Sequence, residues 1–227
     1  MGRVIAITGA SAGIGRAIAL RLARDGAAVA ICARREDKLQ RVAAEIEQAG
    51  GRALPVVADV TRQDDVQAFV ARTVDTFGRL DVAVCNAGYG LYGAIDTIAA
   101  DDMRAVMDVN YFGTYFLIHA ALPIMRRQHS GHIVVMSSIA GRRGIPYMGA
   151  YCATKFAQVG LAECVRAELQ GTGIDLSLVY PISTETEFFG VMTQHSGFAT
   201  RASGPKQTPE HVADRVAAAL RRPVPEV

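Results

Sequence analysis

Cysteine is scarce in this chain, and its few copies form no recognisable pattern. Four of the 227 residues are cysteine: Cys32, Cys85, Cys152 and Cys164. They are too far apart for a CxxC pair, or for a metal-ligand cluster with the five histidines. No metal centre is expected, and the reduced thiols of a cytoplasmic protein are the simplest reading. Charge of one sign is missing too. The formal net charge is +2 with no basic block, which argues against nucleic acid as a partner. No apolar run approaches the roughly 20 residues of a membrane span, so no membrane is expected as a partner. The opening "MGRVIAITGA" passes from a short apolar segment straight into glycine, unlike a signal peptide. Internal repeats and low-complexity tracts are absent.

What is present is an alternation of short apolar runs and longer amphipathic ones. "RVIAIT", "AAVAICA", "ALPVVAD", "LDVAVCNAG", "GHIVVMSS" and "GIDLSLVYP" read as strands. Between them, helical spacing covers about 14–24, 36–48, 61–77, 101–127 and 150–170, with a last helix at 210–220 after Pro209. Thr61 is a candidate N-cap, and Pro123 is expected to bend or end the long fourth helix. Strands that are apolar throughout, rather than alternating, are covered on both faces. The expectation is one α/β domain over 1–227, a doubly wound parallel sheet with helices on both faces. Residues 183–208 break the rhythm, and a connection of that length suits a substrate loop.

Three stretches carry chemistry. In "TGASAGIG", Gly9, Ser11, Gly13, Ile14 and Gly15 lie between the first strand and first helix. Glycine there allows a tight turn and close approach of a ligand, and the free amides and positive dipole end of the helix suit a pyrophosphate. In "ICARRED" the tip of the second strand holds Ala33, not the carboxylate that would bind ribose hydroxyls, and Arg34 and Arg35 follow. A guanidinium beside a 2′-phosphate favours NADP(H) over NAD(H), with NAD(H) left open. The alternative is a solvated turn whose arginines pair with Glu36 and Asp37. In "YCATK", Tyr151 and Lys155 are four residues apart and share a helix face. A nearby cation favours phenolate, and a phenol tuned toward working pH can pass a proton in either direction.

With "NAG" at 86–88, Asp59-Val60, Asn110 and Ser138 in the same order, the chain resembles a short-chain dehydrogenase/reductase over nearly its whole length. The resemblance implies an NADP(H)-dependent oxidoreductase that interconverts a carbonyl and a secondary alcohol, with Tyr151 as acid and base. It implies that Ser138 bonds the substrate oxygen, that Lys155 bonds the nicotinamide ribose, and that Asn110 holds a water in a proton relay. Asp59 would bond the adenine amino group, with Val60 beside the ring, and Asn86, Ala87 and Gly88 would line the cofactor. Pro181, Thr184 and Thr186 would lie at the carboxamide. The long fourth helix and the helix bearing Tyr151 often form a dimer contact in similar proteins, so a homodimer or homotetramer is expected. A non-catalytic NADP(H)-binding sensor or scaffold of the same fold is the competing reading.

Two departures from the family pattern stand out. Ile182 occupies a position where similar proteins usually carry glycine, so either the turn avoids positive φ or the cofactor sits differently. "RRPVPEV" resembles the lead into a last strand, so either that strand is very short or the sheet has an open edge. Apolar candidates for a substrate pocket are Tyr89, Leu91, Tyr92, Ile139, Tyr147, Met148, Phe188 and Phe189. Arg142 and Arg143 read as a solvated loop or as contacts for an anion.

Overall fold

Six short segments of small and β-branched residues form the sheet in the computed structural model, which describes residues 2–190, 192 and 206–227. They are β1 (Val4–Thr8), β2 (Ala28–Ala33), β3 (Arg52–Val57), β4 (Val82–Cys85), β5 (Gly131–Met136) and β6 (Ile174–Val179). All neighbours are parallel, in the order β3-β2-β1-β4-β5-β6. The direction of winding reverses between β1 and β4, and a ligand crevice is expected at such a switch point. Pro55 is tolerated because β3 pairs only with β2 and lies at the edge, where a missing N–H breaks no inner ladder.

Helices cover both faces. They are α1 (Gly13–Arg24), α2 (Glu36–Gln48), α3 (Gln63–Phe77), α4 (Ala100–Met107), α5 (Gly113–Gln128), α6 (Gly149–Glu168) and α7 (Pro209–Arg221). Ile5, Ile7, Val29, Ile31 and Val84 face α1, α2 and α7 in one core. Their strand neighbours Ala6, Ala30, Ala83, Ile133 and Val135 face α3, α5 and α6 in the other. The inner strands β1, β2, β4 and β5 therefore bury both sides, as their unbroken apolar character requires, whereas the edge strand β3 is only partly covered.

Two expected helix features differ. Thr61 does not cap α3, which starts at Gln63 after Arg62. Its hydroxyl instead donates to Asp59 at 2.9 Å, a local bond that competes with capping. The long fourth helix is not ended by Pro123, which lies inside α5. The irregularity comes earlier, as a π-helical turn at Asp108–Phe112 joining α4 to α5. Such turns often mark functional sites.

The question of the last strand is settled by pairing beside β6. Glu226 bridges Leu178 in parallel. Tyr180 donates to the Val227 carbonyl, and Val227 to the Leu178 carbonyl, each at 2.9 Å. Arg142 lies over the Tyr180 ring, 4.0 Å from its centre, and pairs with Glu226, which holds this short edge segment down.

Candidate active site

The residues that follow the six strand tips converge on one cleft of about 1310 Å³. Its floor is the turn from β1 into α1. Gly9 and Gly13 have φ of 66° and 56°, a region that a side chain occupies only with strain. A Cβ on Gly15 would lie 2.4 Å from Asn86 Nδ2 and 2.5 Å from the Gly9 carbonyl. The turn is thus shaped by backbone alone, and Ala12 at the N-cap gives α1 no side-chain cap. First-turn amides left without a cap are the donors an anion takes up. Ser11, Gly13, Ile14 and Gly15 line the cleft here. These features fit a dinucleotide pyrophosphate.

Asn86 braces the turn from β4. Its Nδ2 donates to the Thr8 and Gly9 carbonyls at 2.9 and 3.2 Å, and the Asn86 and Ala87 amides donate to Thr8 Oγ1. Gly88 lies where a Cβ would come within 3.0 Å of Asn110 Oδ1. Asp59 accepts from the Thr61 amide and hydroxyl, and Val60 packs where a Cβ on Gly113 would strike it. Both line the cleft, as does Arg34.

Arg35 does not pair with Glu36 or Asp37. It donates to Ser11 Oγ at 3.2 Å and to Glu187 at 2.9 Å, and Lys38 donates to the same carboxylate at 2.6 Å. Lys38 first, then Arg35, hold the Glu187 carboxyl below the usual range. Glu187 is a site residue that sequence reasoning missed. No periodicity connects positions 152 residues apart.

At the other end of the cleft, β5 delivers Ser138 and α6 delivers Tyr151 and Lys155. Tyr151 is buried, with the Phe188 ring edge-on at 5.4 Å between centres. Burial pushes its phenol well above the ordinary range, and a hydrogen bond with Ser138 pulls the other way. The phenol therefore holds its proton at neutral pH. Lys155 Nζ lies 5.5 Å from the Tyr151 ring centre. It donates to the Met136 carbonyl at 2.8 Å and to Gln158 Oε1 at 2.9 Å, and burial lowers its pKa to about 7. The expected depression of the phenol by the ammonium is absent from the causes of its shift; desolvation, which penalises both charged forms, sets the direction for both groups.

Asn110 is fully buried in the π-helical turn. Its Oδ1 accepts from the Tyr89 amide at 3.0 Å, and its Nδ2 donates to the Tyr89 carbonyl and Thr154 Oγ1, each at 2.9 Å. Its backbone carbonyl already accepts from Gln158 Nε2 and Thr114 Oγ1. The Asn110 groups expected to hold a relay water thus already have protein partners. Asn110 staples the chain after β4 to α6.

Pro181 and Thr186 line the cleft, and Thr186 Cγ2 would lie 3.1 Å from a Cβ on Gly13. The Thr184 hydroxyl is engaged internally, donating to the Ile182 carbonyl and accepting from Gln207. Ser183 Oγ is buried with no partner among the described residues, a group that a ligand could satisfy. Ile182 is absent from the positive-φ residues among those described, so the turn avoids the conformation that would need glycine. The Gln207 amide donates to the Ser183 carbonyl, and the Glu185 amide to the Gln207 carbonyl. The two ends of the expected loop at 183–208 are therefore joined. Its positions 191 and 193–205 lie outside the described residues.

Of the apolar candidates, Tyr89, Ile139, Met148, Phe188 and Phe189 line the cleft. Leu91 is buried with Val106 and Ala150, and Tyr92 packs against Tyr147 with centres 5.7 Å apart. Arg143 lines the cleft, whereas Arg142 turns to Glu226. Among the described residues no cluster could hold a metal ion, and no helix is long and apolar enough to cross a membrane.

Comparison with known proteins agrees with this geometry. An uncharacterized oxidoreductase of Listeria monocytogenes is 35% identical over 226 residues, 97% of this chain and 91% of that protein. The structure of an alcohol dehydrogenase from the archaeon Thermococcus sibiricus, complexed with 5-hydroxy-NADP, superposes with a TM-score of 0.88 at 30% identity, covering 100% of this chain and 95% of that one. A metagenomic short-chain oxidoreductase in complex with NADP gives 0.86 at 33% identity, with the same coverage. The family model described as short chain dehydrogenase matches residues 3–196. The cleft, with a glycine-shaped turn at one end and Ser138 beside the buried Tyr151 and Lys155 at the other, thus belongs to an NAD(P)-binding oxidoreductase, and the chain is a member of the short-chain dehydrogenase/reductase family.

Proposed function

We infer that this protein reduces a small carbonyl compound with NADPH, or oxidises the corresponding secondary alcohol with NADP. The observation that carries this reading is the burial of Tyr151 beside Ser138 and Lys155 at the mouth of a nucleotide cleft. Ser138 donates to the substrate oxygen and polarises it. Tyr151, held protonated by burial, gives its proton to that oxygen as negative charge develops, and Lys155 is the nearby cation that offsets the resulting phenolate. Gly9, Ser11, Gly13, Ile14 and Gly15 would hold the pyrophosphate. Asp59 and Val60 would hold the adenine, Asn86, Ala87 and Gly88 the middle of the cofactor, and Lys155 the nicotinamide ribose. Pro181, Ser183, Thr184 and Thr186 would surround the carboxamide. A nicotinamide, when bound, supplies or takes the hydride.

NADP(H) is favoured by the absence of a carboxylate at the β2 tip and by Arg34 and Arg35 beside the cleft. The NADP-bound relatives support the same choice. The substrate side is mainly apolar, with Tyr89, Ile139, Met148, Phe188 and Phe189 around it and Arg143 at its edge. The chain is proposed to act as a homodimer or homotetramer.

Tyr151→Phe is expected to lower kcat with NADPH by at least about 100-fold, the low end of what a positioned acid contributes. NADPH binding, followed by nucleotide fluorescence, is expected to persist. Undiminished turnover in this variant, against whichever ketone or aldehyde the parent protein reduces, would refute the assignment.

A further inference from the structure

Gln158 takes no part in the reading above, and no motif pointed to it. It lies on α6, three residues beyond Lys155, and is fully buried. Both ends of its amide are used. Oε1 accepts from Lys155 Nζ at 2.9 Å. Nε2 donates to the Asn110 carbonyl and to Thr114 Oγ1, each at 2.7 Å. The Thr114 hydroxyl in turn donates to that same carbonyl at 2.8 Å. A carbonyl oxygen offers two lone pairs, and at Asn110 two side-chain donors address them. The Lys155 ammonium has three protons. One goes to Met136, one to Gln158, and the third is left for the cleft that Lys155 lines.

We propose that Gln158 is a positioning residue that stands in the place of a relay water between Lys155 and Asn110, fixing the ammonium toward the cleft and closing the inner proton route along α5. A water can turn to accept on one side and donate on the other. The Gln158 amide is fixed by its three bonds, with its oxygen toward Lys155 and its nitrogen toward Asn110, and cannot alternate those roles. Protons that restore Tyr151 must then enter from the cleft. This inference rests on the reading of Tyr151 and Lys155 as the acid and its supporting cation. Tyr151 is the titratable group against Lys155, and burial sets the direction of the lysine's shift.

The test compares Gln158→Met with Gln158→Ala. Methionine fills the same volume but offers the ammonium and the Asn110 carbonyl no comparable bond. Alanine leaves a cavity lined by three polar groups, Lys155 Nζ, the Asn110 carbonyl and Thr114 Oγ1, enough to hold a water. A packing role would make methionine the milder change, and a positioning role makes it the harsher one. The first readout needs no substrate. The chain has three lysines, Lys38, Lys155 and Lys206, so 13Cε-lysine NMR of the protein without added nucleotide can follow Lys155 directly. Its midpoint is expected to fall by about one unit in the methionine variant, because a cation that loses an acceptor is disfavoured, and by less in the alanine variant. The second readout is kcat with NADPH and the best substrate from a panel of alkyl and cyclic ketones. Alanine is expected to retain at least threefold more kcat than methionine, with the NADPH KM changed less than kcat. If Gln158→Met keeps the Lys155 midpoint at least as high as Gln158→Ala does, or matches or exceeds it in kcat, the proposal fails. Gln158→Leu serves in its place should the methionine variant not fold. Turnover surviving in Tyr151→Phe would overturn the acid–base reading itself, whereas loss there with the reverse Gln158 order would overturn this inference alone.

Discussion

Glu187 pairs with Arg35, one of the two arginines proposed to receive the cofactor's 2′-phosphate. Arg35 and Lys38 both donate to its carboxylate. A phosphate arriving there must compete with an anion already in place. Neutralising that anion is expected to favour the phosphate. Glu187→Gln should tighten NADPH binding about two- to fivefold, the scale of an exposed ion pair, and change NADH binding less. Fluorescence titration with the two nucleotides measures this, and weaker NADPH binding in the variant would contradict the competition. The residue beside it, Phe188, lies edge-on to the Tyr151 ring. Two neighbouring side chains thus reach toward both ends of the cleft, which is a reason to measure kcat as well as affinity in the same variant.

At the scale of single elements, β5 carries a polar pair inside the sheet. His132 is buried, and its Nε2 lies 2.9 Å from Ser177 Oγ on β6. Ser177 also donates to the Val224 carbonyl, which links this pair to the edge segment. Burial lowers the imidazole from an ordinary 6.5 to about 4. The unfolded chain therefore takes up a proton near pH 6.5, and the folded one only near pH 4. The resulting stability is whole above pH 6.5 and is lost as pH falls toward 4, by up to ~3 kcal/mol. Urea unfolding between pH 7 and pH 4.5 should show this loss, and His132→Gln should flatten the part of the slope that belongs to the histidine. A slope unchanged by the substitution would remove His132 from the account. At α7, the Thr208 hydroxyl accepts from the His211 amide and Pro209 opens the helix. Thr208→Ala is expected to cost ~1 kcal/mol, read from the same urea titrations at neutral pH.

For the whole molecule, the outer faces of the helices matter as much as the cleft. Phe112 and Tyr115 on the α5 side and Phe156 on α6 are exposed. Tyr111, Phe112, Phe116 and Tyr115 contact one another in that order, edge-on or tilted, with ring centres 5.2 to 6.0 Å apart. Aromatic residues left in water on these two helices suit the proposed association of identical chains. Phe112→Arg is expected to shift sedimentation toward the monomer at micromolar concentration. An unchanged oligomer, or a parent protein that sediments as a monomer, would rule out that face.

The sheet and its helices were legible because burial on both faces leaves a local mark, an unbroken apolar run or a 3.6-residue stripe. Gly9, Gly13, Tyr151 and Lys155 were legible because their chemistry needs short fixed spacings within one turn or one helix. The π-helical turn was not, because Asn110 is held by Tyr89 and by Thr154, 44 residues away. Nor were Glu187 opposite Arg35, Gln158 between Lys155 and Asn110, or the pairing of Val227 beside β6. The sequence by itself determined the order of elements, the glycine-rich turn after β1 and the pairing of Tyr151 with Lys155 on one helix. Only the tertiary structure decided which polar groups are satisfied, and by whom, because hydrogen bonds between distant segments depend on packing and leave no periodic trace in the chain.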